Sequence, residues 1–127
     1  MRPFVLALLL SLPSLAAGAQ EAAAPDGAQL FRAQCGACHG MDARNRVGPG
    51  LAGVWERRAA AVEGFRYSPA LRAKAEGGLS WDEENLRAYL RNPRELVPGG
   101  SMPYPGLRDE ARLTALVNWI RDNGGKS

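Results

Sequence analysis

One pentapeptide constrains this chain more than any other feature: Cys35-Gly36-Ala37-Cys38-His39. It contains both cysteines and the only histidine among the 127 residues. A C-x-x-C-H run is the signature of covalent haem attachment. The two thiols, three residues apart, lie along one helical turn and can each form a thioether with a haem vinyl group, while the adjacent imidazole binds iron. The pentapeptide therefore predicts one covalently bound haem c.

Two other readings of the pentapeptide are weaker. A redox-active dithiol of the thioredoxin type belongs in a strand-helix-strand context, and a structural zinc site needs four ligands. The chain has no further cysteine or histidine to complete a zinc site. Thiol-disulfide exchange at Cys35 and Cys38 stays an alternative that predicts free thiols in the purified protein.

The N-terminal segment has the pattern of a secretory signal peptide. Arg2 provides the charged region, Phe4 to Leu15 is apolar apart from polar Ser11 and Ser14 and a break at Pro13, and Ala17-Gly18-Ala19 fits a cleavage site. An apolar run of about a dozen residues is shorter than the roughly 20 that span a bilayer. Residues 1–19 are predicted to be removed, with a second candidate cleavage site after Ala24. The expected product is a soluble periplasmic protein without stable membrane insertion.

Charge and length restrict the mature chain further. Residues 1–19 contain one of the 16 basic residues and none of the 13 acidic ones, so the mature net charge is +2. That balance gives no reason to expect a nucleic-acid partner. The remaining 108 residues suit one domain, predicted over 26–124, with a disordered lead-in at 20–25 and a tail at 125–127. Fifteen glycines and nine prolines indicate long loops, which a haem would stabilise as added core.

Capping residues predict two helices in the first half of the domain. Asp26 is a plausible N-cap for a helix over about 27–34 that runs directly into the pentapeptide. Ser68-Pro69 resembles an N-cap followed by the first helical position, so a short helix is expected to about Glu76. The stretch between them, 54–67, lacks periodicity and is assigned no regular structure.

The second half carries stronger helix signals. The run Ser80-Trp81-Asp82-Glu83 matches a capping box and predicts a helix that stops before Pro93. A brief helical turn is expected over 93–97. The last helix begins near Asp109 or Glu110 and presents an apolar stripe at helical spacing, formed by Leu113, Leu116, Val117 and Ile120. The domain is therefore predicted to be mostly helical, with long loops.

The second iron ligand follows by elimination. There is no second histidine, and Met1 leaves with the signal peptide. Met41 lies two residues after His39 and cannot easily reach the opposite face of the ring. Met102 remains, in a loop that Pro98, Pro103 and Pro105 restrict. A methionine that only fills a gap in the packing is the alternative. A thioether ligand would raise the potential relative to two imidazoles.

The spacing of these and other residues is similar to that of class I cytochromes c of the mitochondrial and bacterial short-chain type, from Gly27 to about Asn123. The matching residues are Gly27, Phe31, the pentapeptide, Gly48-Pro49, Gly64-Phe65-x-Tyr67, Trp81, Tyr89-Leu90-x-Asn92-Pro93, Pro98-Gly99-x-x-Met102, Leu116 and Trp119. The resemblance implies an all-α fold, with three to five helices and long loops wrapped around one covalently bound haem whose edge is partly exposed.

The resemblance also implies roles for single residues. Cys35 and Cys38 would hold the haem, and His39 and Met102 would bind iron. The Pro49 carbonyl would accept the free ring N–H of His39. The other implied residues surround the haem and its ligands: Arg57, Tyr67 and Trp81 near the propionates, Tyr89 near the methionine sulfur, and Asn92 as a supporting residue. Core packing of Trp81 and Tyr89, and a solvated charge at Arg57, are the alternatives.

Three positions depart from the family pattern. Gly100 replaces a hydroxyl residue, Leu71 replaces an asparagine, and Ser101 stands where mitochondrial relatives have a lysine that displaces methionine from iron at alkaline pH. We therefore predict that this protein lacks that lysine-ligated form. A pH titration in which lysine replaces methionine on the iron would contradict the prediction.

The resemblance implies an electron-transfer protein rather than an enzyme. The predicted function is a monomeric one-electron carrier between respiratory or periplasmic redox partners, which dock transiently at the haem edge. One alternative is the dedicated haem subunit of a single periplasmic dehydrogenase. A gas-binding haem sensor or a haem peroxidase would need an open iron face, which Met102 would block.

Overall fold

Five helices make up the regular structure in the part of the chain that the structure describes. The computed structural model describes Gly18 and residues 23–125. The helices are α1 (Gly27–Gln34), α2 (Pro69–Glu76), α3 (Glu83–Arg91), α4 (Pro93–Leu96) and α5 (Glu110–Asn123). The described residues contain no strand, only one isolated antiparallel bridge between Arg58 and Ser80. The prediction of an all-α fold is confirmed. The predicted signal peptide lies outside the described residues apart from Gly18.

Side-chain caps begin three of the helices where the sequence predicts them. The Asp26 carboxylate accepts hydrogen bonds from the backbone N–H groups of residues 28 and 29 at the start of α1. The Ser68 hydroxyl accepts one from Leu71 at the start of α2, with Pro69 in the first turn. Asp109 accepts one from Arg112 at the start of α5. Each cap satisfies backbone donors that have no partner within the helix.

The predicted capping box at α3, with Ser80 as N-cap and Glu83 as its partner, is wrong. The N-cap is Asp82, whose carboxylate accepts from the Asn85 N–H at 2.8 Å, and not Ser80. Ser80 lies instead in the bridge to Arg58. On either side, the Trp81 N–H donates to the Arg57 carbonyl at 2.8 Å, and the Ala59 N–H donates to the Leu79 carbonyl at 2.9 Å. This pairing holds Ser80 in an extended segment, so the helix begins two residues later.

The core forms where α1 crosses α5. The apolar stripe of α5 is buried, and Leu113, Leu116 and Val117 have no exposed area. Phe31 of α1 packs on Trp119 with ring centroids 4.7 Å apart. At Gly27 a side-chain carbon would lie 2.5 Å from Trp119 Cβ, so only glycine permits this approach. Gly27 and Phe31 of α1 thus meet Trp119 of α5 at this crossing.

A loop over 97–109, here called the Met102 loop, joins α4 to α5. The C-terminal end of this loop is fixed to α3, because the Leu107 N–H donates to the Leu90 carbonyl at 2.9 Å. Gly106 has φ +101° and lies so close to the Arg91 carbonyl that a side chain would collide with it. The loop is thereby anchored to the C-terminal end of α3.

None of the helices in the described part of the chain is both long enough and apolar enough to cross a membrane.

Candidate functional site

A cavity of about 410 Å³ lies between the helices and the long loops. Apolar side chains from all parts of the chain form much of its wall, among them Phe31, Leu51, Val54, Leu71, Leu86 and Ile120. The residues predicted as site residues also line it, with Asn92 as the exception: Cys35, Cys38, His39, Pro49, Arg57, Tyr67, Trp81, Tyr89 and Met102. Asn92 instead joins α3 to α4, where its side-chain amide donates to Glu95 at 3.2 Å.

The pentapeptide forms a tight turn at the end of α1. The Cys38 and His39 N–H groups both donate to the Cys35 carbonyl, at 3.1 and 2.9 Å. The two cysteines are partly buried and form no disulfide with each other. Burial, and to a lesser extent the neighbouring Cys38, raises the pKa of the Cys35 thiol to about 11. Reactive dithiols have lowered pKa values, so this environment disfavours thiol-disulfide exchange.

His39 is held by the loop that follows it. Its Nδ1 lies 2.9 Å from the Pro49 carbonyl oxygen. Because a carbonyl only accepts, this contact requires the proton on Nδ1 and leaves Nε2 with a free lone pair. Gly48 packs against the imidazole, and a side-chain carbon there would lie 2.7 Å from Nδ1. Ring orientation and tautomer are therefore both set by Gly48-Pro49.

Met102 and Met41 lie in different environments. Met102 lines the cavity, with its Sδ 3.9 Å from the Tyr89 hydroxyl. Burial raises the pKa of that hydroxyl, which keeps its proton available to the sulfur. Met41 packs near the end of α5, where its Cε would lie 3.2 Å from a side-chain carbon at Gly124. Among the described methionines, Met102 alone lines the cavity with His39.

Arg57 brings a cation to the cavity wall. One terminal nitrogen donates to the Ala52 carbonyl at 2.8 Å, and the other lies 3.5 Å from the Gly50 carbonyl. Its Nε is buried and is the one buried side-chain polar atom in the described residues without a partner. A buried donor of this kind is normally satisfied. An anionic group in the cavity, such as a haem carboxylate, would satisfy it.

Tyr67 and Trp81 complete this side of the wall. The Tyr67 hydroxyl accepts from the Val62 N–H at 3.1 Å, and burial raises its pKa despite that bond. Trp81 packs on Tyr89 with ring centroids 4.8 Å apart. With an apolar wall, two cysteines that form no disulfide, an imidazole and an arginine whose Nε lacks a partner, the residues fit a covalently bound haem.

Sequence reasoning missed one contact at the cavity. The Tyr104 hydroxyl donates to the Gln34 side-chain oxygen at 2.5 Å, across 70 residues of sequence. Both residues line the cavity. The sequence shows a tyrosine two residues after the methionine in the Met102 loop, but no local pattern indicates its hydrogen-bond partner.

Known proteins match nearly the whole chain. The family described as "Cytochrome C oxidase, cbb3-type, subunit III" matches residues 22–120. Cytochrome c2 of Blastochloris viridis is 40% identical over 124 residues, which cover 95% of this chain and 93% of the relative. Cytochrome c2 of Rhodoblastus acidophilus is 40% identical over 107 residues, 80% of this chain and 97% of the relative. Cytochrome c of Stellaria longipes is 36% identical over 108 residues, which cover 84% of this chain and 97% of the relative.

Sequence similarity and site geometry lead to the same assignment. Cytochrome c relatives are electron-transfer proteins, and the family implies one covalently bound haem c, with which the Cys35–His39 motif is consistent. The prediction of an electron-transfer protein with this cofactor is confirmed. The chain belongs to the cytochrome c family, as a class I c-type cytochrome.

Proposed function

We propose that this protein is an exported one-electron carrier whose haem iron is bound by His39 and Met102. The observation that carries the proposal is the shared cavity: among the described residues it brings together both cysteines, the only histidine and one methionine. The other described methionine, Met41, packs elsewhere. A His/Met pair favours the reduced iron relative to two imidazoles.

The bound haem supplies the one-electron chemistry, because its iron has two accessible oxidation states. The chain's own residues hold that group in place. Cys35 and Cys38 attach it, the Pro49 carbonyl orients His39, and the Tyr89 hydroxyl supports the sulfur of Met102. Arg57 would offer its unpartnered Nε to a propionate. A site with both iron ligands fixed reorganises little when its charge changes, which suits electron transfer.

Redox partners would dock where the cavity reaches the surface. Val47 lines the cavity and is 75% exposed, the one large exposed hydrophobic residue in the described chain. Arg44 and Arg46 precede it and share Asp42 as a salt-bridge partner. A small apolar contact beside charged side chains suits the weak, transient interfaces of redox partners. Partners in the periplasm, including those of a respiratory chain, fit the predicted signal peptide.

The ferric absorbance spectrum tests the iron ligands. We expect a sulfur-to-iron charge-transfer band at the red edge, which Met102→Leu abolishes and Met41→Leu leaves in place. The reduced wild-type protein should not bind carbon monoxide, whereas the reduced Met102→Leu variant should. Ready carbon monoxide binding by the wild type would contradict the carrier function and favour a ligand-binding haem protein.

The electron-carrier role needs a separate measurement. We expect dithionite-reduced protein to be reoxidised by membranes of the source organism and reduced again by several periplasmic dehydrogenases. Stable copurification with one dehydrogenase, together with reduction by that enzyme alone, would instead indicate a dedicated haem subunit.

A further inference from the structure

We propose that Gln34 is a positioning residue, which acts through its hydrogen bond to Tyr104 to hold the Met102 loop against the cavity and so to keep small competing ligands from the iron. The inference rests on the proposed ligation by Met102. Gln34 itself touches neither the methionine nor His39 through any hydrogen bond in the described structure.

The middle of the Met102 loop has few attachments of its own. Its first part is closed by the Gly100 N–H, which donates to the Val97 carbonyl at 3.0 Å, and its last part by the Leu107 bond to α3. Between 101 and 106, the described part of the chain contains no backbone hydrogen bond. Pro103 and Pro105 have no N–H to donate. This segment therefore depends on side-chain contacts for its position.

Among the described residues, two side-chain hydrogen bonds hold that segment. One comes from the Tyr89 hydroxyl to the Met102 sulfur, at 3.9 Å. A thioether is a weak acceptor, and the iron would compete for the same sulfur. The other is the bond from Tyr104 to Gln34, at 2.5 Å. The amide carbonyl is the stronger acceptor of the two, so this bond is the main polar tether of the segment.

The tether ends on a rigid part of the molecule. Gln34 is the last residue of α1 and directly precedes Cys35, which resides in the attachment motif. Helix α1 is fixed by its crossing with α5, through Phe31 and Trp119. The Tyr104 ring also packs against the hydrophobic core. The hydrogen bond thus fastens the methionine-bearing loop to the same segment that holds the haem.

Loss of this bond should let the loop move away from the cavity more often. Imidazole in solution would then compete more successfully with Met102 for the ferric iron, since its apparent affinity reflects the population of the open form. One neutral hydrogen bond changes such an equilibrium roughly three- to tenfold. We expect an increase of that size in imidazole affinity for Tyr104→Phe and for Gln34→Leu.

Matched variants separate positioning from general stability. Gln34→Glu keeps an acceptor for the tyrosine hydroxyl and should bind imidazole as the wild type does. Gln29→Leu makes the same change as Gln34→Leu at an exposed position of the same helix and should also leave imidazole affinity unchanged. The double variant Tyr104→Phe/Gln34→Leu should bind imidazole no more tightly than either single variant does, because both substitutions remove the same hydrogen bond.

Imidazole titrations of the ferric haem-containing protein, followed by absorbance, test whether loss of the Tyr104–Gln34 bond raises imidazole affinity. Equal affinity in wild type, Tyr104→Phe and Gln34→Leu would overturn the proposal, as would an equal gain in Gln29→Leu. Tyr104→Phe removes a single hydroxyl and keeps the test available if Gln34→Leu does not fold. Absence of the sulfur charge-transfer band from the wild type would instead overturn Met102 ligation, and is seen before any variant is made.

Discussion

At the scale of the residue, the geometry around His39 shows how neighbours select one chemical state of a side chain. The Pro49 carbonyl at 2.9 Å requires the proton on Nδ1, and Gly48 packs so close to the imidazole that any side chain there would collide with the ring. A metal-binding histidine commonly has its other nitrogen fixed in this way. The loop from 40 to 50 thus leaves the Nε2 lone pair free for the iron ligation proposed above.

Gly48→Ala should displace the imidazole. The added carbon would lie 2.7 Å from Nδ1, so the ring or the loop must shift. We expect the free energy of unfolding to fall by about 1–3 kcal/mol, the usual cost of overpacking. Guanidinium denaturation, followed by the haem absorbance, measures this decrease in the free energy of unfolding.

Gly77→Ala is the matched control for Gly48→Ala. Its added carbon would meet nothing nearer than 3.4 Å, and its φ of −75° suits alanine. We expect a change within about 0.5 kcal/mol. Equal losses of stability in the two variants would mean that contact with His39 is not the cause.

Arg44 should control the ionisation of Asp42 in the same loop. Hydrogen bonds from the Arg44 side chain and backbone hold the pKa of Asp42 below its ordinary value, and the charge of Arg46 adds less. We expect Arg44→Gln to raise that pKa more than Arg46→Gln does. A titration of the carboxyl carbon by NMR measures both shifts.

The direction of this shift also determines a pH dependence. Because the folded-state pKa of Asp42 is lowered, the carboxylate stabilises the fold above its unfolded-state pKa, and the contribution is lost as the pH falls. The pair is exposed, so the effect on stability should be small. A larger pKa change in Arg46→Gln would contradict the assigned cause.

At the scale of the element, the start of α3 shows that a capping pattern in the sequence does not by itself identify the N-cap, because tertiary contacts also decide it. The predicted cap, Ser80, and the observed cap, Asp82, stand two residues apart. Segment 79–81 pairs with the backbone of 56–59, which keeps Ser80 extended and leaves the capping role to Asp82. Local sequence alone allows either residue.

Asp82→Ala should therefore weaken α3, whereas Ser80→Ala should not. Loss of an N-cap side chain costs about 1 kcal/mol, and we expect that decrease in the free energy of unfolding for Asp82→Ala. The Ser80 variant keeps its backbone pairing, so its change should stay within about 0.5 kcal/mol. Denaturant titrations of both variants compare them directly. The reverse order of effects would restore the predicted capping box.

At the scale of the whole molecule, the helices alone do not enclose the cavity. Helix α5 packs against α1 and α3, and α3 also contacts α4. Among the described helices, α2 packs against none of the others. It is held by Arg58, which donates twice to the Ala75 carbonyl at its C-terminal end, and it contributes Leu71 to the cavity wall. The packing of α2 on its cavity side thus depends on the group that fills the cavity.

Protein without haem should lose structure unevenly. A Cys35→Ala/Cys38→Ala variant, which cannot attach the cofactor, leaves the apolar cavity walls uncovered. We expect a clear loss of helical circular dichroism and of cooperative unfolding, because a small loop-rich domain lacks enough core of its own. Hydrogen exchange should be fastest in α2 and slowest in α1 and α5. Native-like dichroism and a cooperative transition would contradict this dependence.

Local and short-range signals predicted much of this protein. The Cys35–His39 pentapeptide indicated the cofactor because attachment needs a fixed spacing along one helical turn, and caps at Asp26 and Ser68 marked two helix starts because capping is local. Met102 emerged by elimination, because a chain with one histidine offers few iron ligands.

Tertiary structure alone decided the contacts between distant segments. Nothing local pairs Gln34 with Tyr104 across 70 residues, gives the N-cap to Asp82 in preference to Ser80, or leaves Arg57 Nε buried without a partner. These contacts depend on how loops close around a common cavity. The sequence by itself thus determined the cofactor and the helices, whereas the packing of loops determined how the site is held, because residues far apart meet only after the chain has folded.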